Sequence, residues 1–330
     1  MKRCAKCNSL MPADAPKCIQ CGQVSTQEPA PAPAPAARPE VAPIQGLAHG
    51  ERPGRIRGAW LLAKQSWRVL MLDKELLVFP LLSGIACLLV LAAFVAGVFV
   101  TGGAQSDRAA EDPVFWVLSF LYYFINYFVI VFFNSALVAC ALIRFRGGDP
   151  TVADGLRAAA ARLPQILAWV LLAATVGIAL RAIQERLQLV GRIVIALIGA
   201  VWTIATYFIV PVLVVEQLGP FDAVKRSAEL MKQTWGESLV SYVGIGAATG
   251  LIAFLGVLLI VIVSVALAMT TSSMGVLVAG GVLVVAFLVL AALVSSALTT
   301  IVLSALYLYA AEKKVPRAFD GVAQFAFAPK

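Results

Sequence analysis

Charge is what this sequence has least of. Asp, Glu, Lys and Arg make up 13% of its 330 residues, while hydrophobic residues reach 61%; a soluble domain carries roughly 25% charged residues. With a mean hydropathy of +0.89, the chain has too little polar surface to cover itself in water. That excludes an ordinary soluble enzyme, and the same apolar weight excludes disorder over most of the length. Histidine is almost absent. His49, beside Gly50, is the only one and reads as a solvated linker residue, so most familiar hydrolase and metalloenzyme chemistry lacks its usual donor. No strand leads into a glycine-rich phosphate loop. No apolar stretch follows Met1-Lys2-Arg3-Cys4 before residue 57, so these residues are not expected to be a signal peptide.

What is present falls into regions of different composition. Residues 1–23 are polar and hold four of the six cysteines. Residues 24–57 form a Pro/Ala-rich linker containing Glu28-Pro29-Ala30-Pro31-Ala32-Pro33-Ala34-Pro35. Residues 58–313 carry the apolar mass, and 314–330 form a short tail. A spanning helix needs about 20 apolar residues, and six spans can be drawn: 76–100, 113–143, 163–180, 193–215, 239–269 and 276–311. The last two come from 74 uncharged residues between Glu237 and Glu312, too many for one crossing. Thr270-Thr271-Ser272-Ser273-Met274-Gly275 is the expected turn between them. The fold class is thus all-α and polytopic.

The net charge of +8 does not read as a nucleic-acid surface, because the cations stand in short groups beside apolar runs. Of the 26 Lys and Arg residues, 22 fall on the side of residues 1–75, 144–162, 216–238 and the tail. The other side holds Arg108, Arg181, Arg186 and Arg192. The charge rule therefore predicts both termini in the cytoplasm, with the spans in the inner (cytoplasmic) membrane and residues 101–112, 181–192 and 270–275 outside.

Each hairpin of spans is approached by an amphipathic segment. Pro220–Gly236 places Phe221, Val224, Ala228, Met231 and Trp235 on one stripe, with Asp222, Lys225, Arg226, Glu229 and Lys232 around the remainder. A second segment begins at Pro150 with Asp149 as the expected N-cap, and its stripe is Val152, Leu156, Ala159 and Leu163. A third carries Trp60, Ala63, Trp67 and Leu70 with Lys64 and Arg68. All three read as helices in the interface plane. The result is one unit, interfacial helix plus hairpin, used three times over about 58–143, 149–215 and 219–311. Lys64-Gln65-Ser66-Trp67 echoes Lys232-Gln233-Thr234-Trp235.

The sharpest chemical pattern is Cys4-x2-Cys7-x10-Cys18-x2-Cys21. Two Cys-x-x-Cys knuckles at this separation match a four-thiolate structural zinc site, a zinc ribbon, with Cys4, Cys7, Cys18 and Cys21 as ligands. Asn8 and Gly22 follow their knuckles with residue types that tolerate positive φ. Lys6 and Lys17 would offset the tetrathiolate charge. The competing readings are two disulfides, a redox dithiol pair and an iron–sulfur site; a cytoplasmic position argues against disulfides. Four protein ligands leave no open position for catalysis.

The spans contain no Asp, Glu, Lys, Arg or His at mid-depth, the residues that mark proton relays and ion-coupling sites. Asn126, Asn134, Thr203, Thr206, Ser295, Ser296, Thr299 and Thr300 remain as interhelical contacts or the lining of a path. Pro211 is expected to kink the fourth span. Glu216 with Gly219-Pro220 reads as a helix stop and restart, with an alternative in which Glu216 faces the basic side of the next helix. Asp73/Glu75 and Glu111/Asp112 sit at span boundaries, and Cys87 and Cys140 read as packing.

Several of these runs carry a resemblance. Ser66-Trp67-Arg68-Val69-Leu70, Asp73-Lys74-Glu75-Leu76-Leu77-Val78-Phe79-Pro80, Phe133-Asn134-Ser135-Ala136-Leu137, Gly147-Gly148-Asp149-Pro150-Thr151-Val152 and Gly219-Pro220-Phe221-Asp222-Ala223-Val224-Lys225-Arg226-Ser227 resemble a bacterial and archaeal family of six-span integral membrane proteins of unknown function. The likeness covers about 55–315 and implies no chemistry. Pro211, Glu216, Ala223 and Ser227 are also similar to the membrane domain attached to some glycerophosphodiester phosphodiesterases, whose catalytic domain has no counterpart here. The zinc ribbon looks like an added module. The sequence therefore points to a non-enzymatic membrane scaffold or adaptor. Its partners would be membrane lipid and a cytoplasmic protein met through the zinc ribbon, with no nucleic acid. The alternative is a passive transporter, channel or lipid-handling protein.

Overall fold

The computed structural model describes residues 2–3, 10–11, 55–100, 113–271 and 273–313. The chain divides into two compact units, Met1–Glu40 and Val41–Lys330. In the first, β1 (Lys2–Arg3) pairs antiparallel with β2 (Leu10–Met11), Lys2 opposite Met11 and Arg3 opposite Leu10. Cys4, Cys7, Cys18 and Cys21, the linker and the tail lie outside the described residues.

The second unit is helical among its described residues, as it must be where lipid offers the backbone no hydrogen bonds. Its elements are α1 (Arg55–Leu72), a short 3-10 turn (Lys74–Leu77), α2 (Val78–Val100), α3 (Pro113–Phe145), α4 (Val152–Ala160), α5 (Leu163–Arg186), α6 (Leu189–Ala205), α7 (Ile209–Glu216), α8 (Pro220–Gln233), α9 (Trp235–Thr271) and α10 (Met274–Glu312). Among the described residues six stretches are long and apolar enough to cross a membrane: 74–100, 114–145, 163–186, 190–216, 249–271 and 274–312. They coincide with the six expected spans, so this is a multi-pass membrane protein. The order of amphipathic helix then hairpin occurs three times, as α1 with α2–α3, α4 with α5–α7, and α8 with α9–α10.

Two details of the spans go beyond the sequence reading. Residues 181–192, expected outside the membrane, are mostly helix, because α5 runs on to Arg186 and α6 starts at Leu189. Arg181 Nε pairs with Glu185 Oε1 at 3.2 Å on an exposed surface. A helix whose end carries such solvated pairs can protrude past the hydrocarbon instead of unwinding. The fourth span is also not simply kinked at Pro211. It is broken at Thr206-Tyr207-Phe208, and Pro211 lies in the first turn of α7, where its missing N–H costs little.

Burial is concentrated at one end of the spans. Leu70, Phe79, Leu137, Trp169, Phe208, Leu230 and Leu306 are inaccessible or nearly so. They bring together α1, the start of α2, the end of α3, α5 near its start, the α6–α7 break, α8 and the end of α10. At the other end Leu89, Phe99, Trp116, Val201, Leu259 and Val285 are exposed, the expected state of lipid-facing side chains. Lipid tails are as apolar as leucine, so helix pairing there rests on close packing. α9 and α10 show it: Thr249 and Ser295 share a hydrogen bond at 3.1 Å, and Gly256 lies so close to the Phe287 ring that any Cβ would collide.

The amphipathic helices also show which residues meet the bundle. On α8 the buried residues are Ala223, Ser227, Leu230 and Met231, while Phe221 is 74% exposed. On α4 they are Gly155 and Ala159. On α1, Gln65, Ser66, Val69 and Leu70 turn inward and Trp67 outward. Gly155 and Ala159 on α4 and Ala223 and Ser227 on α8 allow close approach to the bundle, whereas α1 meets it with the larger Gln65, Val69 and Leu70.

Candidate functional site

Every polar cluster with geometry worth examining lies at the buried end of the bundle. The first is built by the 3-10 turn, the end of α3 and the start of α4. Asp73 closes α1 and is 8% exposed. Both of its oxygens accept from the Arg144 guanidinium, through Nε and Nη2. Arg144 Nη2 also donates to Asp149 Oδ1 at 2.7 Å. A buried pair of this kind needs several hydrogen bonds to offset desolvation, and the fork of arginine supplies them.

Asp149 is therefore a partner of Arg144 and not the N-cap. The N-cap of α4 is Thr151, whose Oγ1 accepts from Asp154 N at 3.2 Å while Asp154 Oδ2 accepts from Thr151 N at 3.2 Å and Thr151 Oγ1 at 2.7 Å. This is a capping box. The hydrogen bonds from the Thr151 side chain and backbone hold the Asp154 carboxyl below its ordinary range. Glu75 Oε2 accepts from Val152 N at 3.3 Å, so of the two boundary carboxylates Asp73 ties the junction of α1 and α2 to α3 and Glu75 ties it to α4. Cys140 donates Sγ–H to Thr151 O at 3.4 Å. It packs under Gly155, where a Cβ would meet Phe79 Cζ at 2.6 Å, Cys140 Sγ at 2.7 Å and Ala136 O at 2.9 Å.

The second cluster is built by α7, α8 and α10. Gln217 adopts the left-handed conformation (φ 57°) and ends α7. The helix-stop reading of Glu216 is therefore only half of its role. Arg226 Nε donates to Glu216 Oε2 at 2.9 Å and Oε1 at 3.1 Å, and Tyr307 donates its hydroxyl to Oε1 at 3.0 Å. Two turns deeper along the span, Phe208 N–H, released by the break in the fourth span, donates to Ser227 Oγ at 3.0 Å. A buried neutral bond contributes about 1 kcal/mol, and an orphaned buried N–H costs about 1–3. Arg162 Nε donates to Val214 O at 3.1 Å, which adds a partner for the carbonyls at the end of α7. At the rim, Arg146 pairs with Glu312 at 2.8 Å and Lys313 Nζ donates to Gln233 Oε1 at 3.0 Å.

Chemically these clusters are closed. Their carboxylates are engaged by arginine, tyrosine or backbone donors. Among the described residues no group of three or more His, Cys, Asp and Glu could hold a metal ion. The expected ligands Cys4, Cys7, Cys18 and Cys21 lie outside the described residues, as do His49, Glu111 and Asp112. Of the polar residues in the spans, Thr203, Thr206, Thr299 and Thr300 bond back to carbonyls one turn earlier. Asn134 is half-buried. The Asn126 Nδ2 is buried without a hydrogen-bond partner.

The Asp73–Arg144 pair was not visible in the sequence, although Arg144 is the first charge after 31 uncharged residues. Tyr307 gave no signal within its apolar run.

A family model described as a family of unknown function (DUF6159) matches residues 113–316. No curated protein and no solved structure matches the chain.

Proposed function

The chain belongs to the DUF6159 family, and from that premise we propose that it is a non-enzymatic membrane scaffold or adaptor. In this reading the six spans are an anchoring platform in a bacterial inner membrane. Residues 1–23 are a structural zinc ribbon on the cytoplasmic side that binds a protein partner. The observation that carries the reading is the spacing Cys4-x2-Cys7-x10-Cys18-x2-Cys21, set apart from the spans by the Pro/Ala linker. The β1–β2 pair supports it, because it draws together the two ends of the segment that bears the first knuckle. A 23-residue module has little core, so zinc would supply most of its folding energy. The mutual pairing of the ionised groups at the end of the bundle favours a platform over a catalyst.

The linker sets what the ribbon can do. A polyproline-type segment rises about 3.1 Å per residue, so about 34 residues reach at most roughly 100 Å. That tether holds the ribbon near the membrane surface and raises its local concentration for a partner.

Purified protein should bind about one zinc per chain. Deleting residues 1–50 should remove the zinc and abolish partner recovery from native membranes, and leave the melting temperature of the helical unit in detergent unchanged. Metal analysis without zinc, or a fall in melting temperature on deletion, would count against the reading. An impermeant thiol reagent that labels a cysteine at Ser25 but not one at Ser106 in intact cells would reverse the orientation.

A second reading, a channel or lipid-handling protein, is favoured by the unpartnered Asn126 amide, since an amide in hydrocarbon needs a polar neighbour. A flux or lipid-transfer assay in liposomes separates the two.

A further inference from the structure

The three amphipathic helices share an order of side chains that becomes visible only when they are compared. Successive residues turn by about 100°. On α8 this rotation passes from the buried face (Leu230, Ala223, Ser227) to a flank of Val224, Ala228 and exposed Phe221. It then reaches a strip of Lys232 and Lys225, and after that Glu229 and Asp222. On α1 it passes from buried Gln65, Val69, Ser66 and Leu70 to exposed Trp67 and Met71, then to Lys64 and Arg68. On α4 it passes from buried Gly155 and Ala159 to Val152 and Leu156, which are half-buried and also touch the core, then to Arg157, then to Asp154.

The sequence buried, apolar, cationic has the same rotational sense in all three helices. In a membrane protein this order has a direct meaning. The buried face lies against the bundle, the apolar flank enters the hydrocarbon, and the next strip lies at headgroup depth. Long cationic side chains reach that depth with their stems over the apolar flank. Where an acidic residue follows, it falls on the water side. Repeating the same sense three times means that the helices circle the bundle in one direction, each with its cations at one level.

We propose that α1, α4 and α8 form a collar that binds the phosphate-bearing headgroups of anionic phospholipids, with Lys64, Arg68, Lys225 and Lys232 as principal contacts. Two further observations fit this occupant. Among the described residues the ion pairs made by these helices are Arg157–Asp154, Arg226–Glu216 and Arg226–Glu229. Lys64, Lys225 and Lys232 are exposed and take part in none of them. Phe221 and Trp67 stand outward directly beside the cation strips, the position of aromatic residues at membrane–water interfaces. The inference rests on the helical unit alone and stands or falls independently of the zinc ribbon.

The test uses the full-length protein reconstituted in phosphatidylcholine bilayers. Trace spin-labelled phosphatidylglycerol or phosphatidylcholine reports, by electron paramagnetic resonance, how much of each lipid is motionally restricted by the protein. Each surface cation attracts an anionic membrane by a factor of roughly five. Partial screening leaves an expected preference for phosphatidylglycerol of about two- to fivefold, and it should fade near 1 M salt, where the screening length is about 3 Å. The variant K64Q/R68Q/K225Q/K232Q should fall to parity. Lysine-to-arginine replacements at 64, 225 and 232 should keep the preference, as should Arg186→Gln at the other end of the spans. If the fourfold variant does not fold, K225Q/K232Q alone should show a partial loss. Parity in the unaltered protein would overturn the proposal, as would an undiminished preference in the glutamine variants. A loss of equal size with Arg186→Gln would also overturn it.

Discussion

Replacing Gly155 with alanine should destabilise the helical unit by about 3 kcal/mol, the upper part of the range for overpacking a tight site. The added Cβ would meet three atoms at 2.6 to 2.9 Å, from Phe79 on α2 and from Cys140 and Ala136 on α3. One of these is the backbone carbonyl of a spanning helix, which cannot rotate aside as a flexible side chain would. α4 would have to lift away, and the Glu75 contact to Val152 N would lengthen with it. Gly84 is the control. It lies inside α2, and a Cβ there meets nothing within 4 Å. Gly84→Ala should be neutral or gain up to about 1 kcal/mol from helix propensity. Unfolding of both variants in mixed detergent and SDS micelles, read by circular dichroism, gives the comparison. Equal behaviour of the two would show that α4 does not pack on α2 and α3 as described.

The second large effect concerns Asp73. Asp73→Ala should cost about 3–5 kcal/mol, the range for removing one member of a buried ion pair. The loss comes mainly from what is left behind. Arg144 would keep only Asp149, whose side chain is 63% exposed. Asp73→Leu combined with Arg144→Met should be much less destabilised than Asp73→Ala, because replacing both charges removes the desolvation penalty together with the attraction. The same unfolding assay reads all three proteins. A double variant as unstable as the single would mean that the pair holds the fold by its geometry and not merely by compensating its own burial.

How much of this was legible in the sequence depends on the range of the interaction concerned. The spans follow from composition over about 20 residues, and all six appear where expected. The amphipathic helices were also legible as elements lying in the interface plane, but the residues that meet the bundle were not. An apolar stripe says which side of a helix avoids water. It does not say whether protein or lipid covers it, and Phe221 and Trp67 face outward. The cap of α4 was misplaced by two residues because Asp149 and Thr151 are both good N-caps. The choice between them was made by Arg144, which claims Asp149. That claim depends in turn on Asp73, 71 residues earlier than Arg144. The same holds for Tyr307 and Glu216, 91 residues apart. Pairings at such separations carry no local periodicity, so only the packed bundle reveals them. Pro211 correctly marked the fourth span as irregular. The break lies just ahead of it because Ser227 on α8 is there to receive the exposed N–H of Phe208.

That last bond links span four to the order in which the chain is made. Phe208 lies two helical turns inside the end of its span, and its N–H has no acceptor within its own helix. The acceptor is 19 residues further along the chain. At a synthesis rate of about 5–20 residues per second, Ser227 follows Phe208 by about 1–4 s. During that interval the span would have to enter hydrocarbon with an open donor, at a cost of several kcal/mol. Span four is therefore expected to linger at the insertion machinery until α8 has been synthesised. Protease protection of chains arrested at the two lengths would read the delay. The break therefore couples completion of the fourth crossing to synthesis of α8, although the hydropathy profile presents that span as an independent segment.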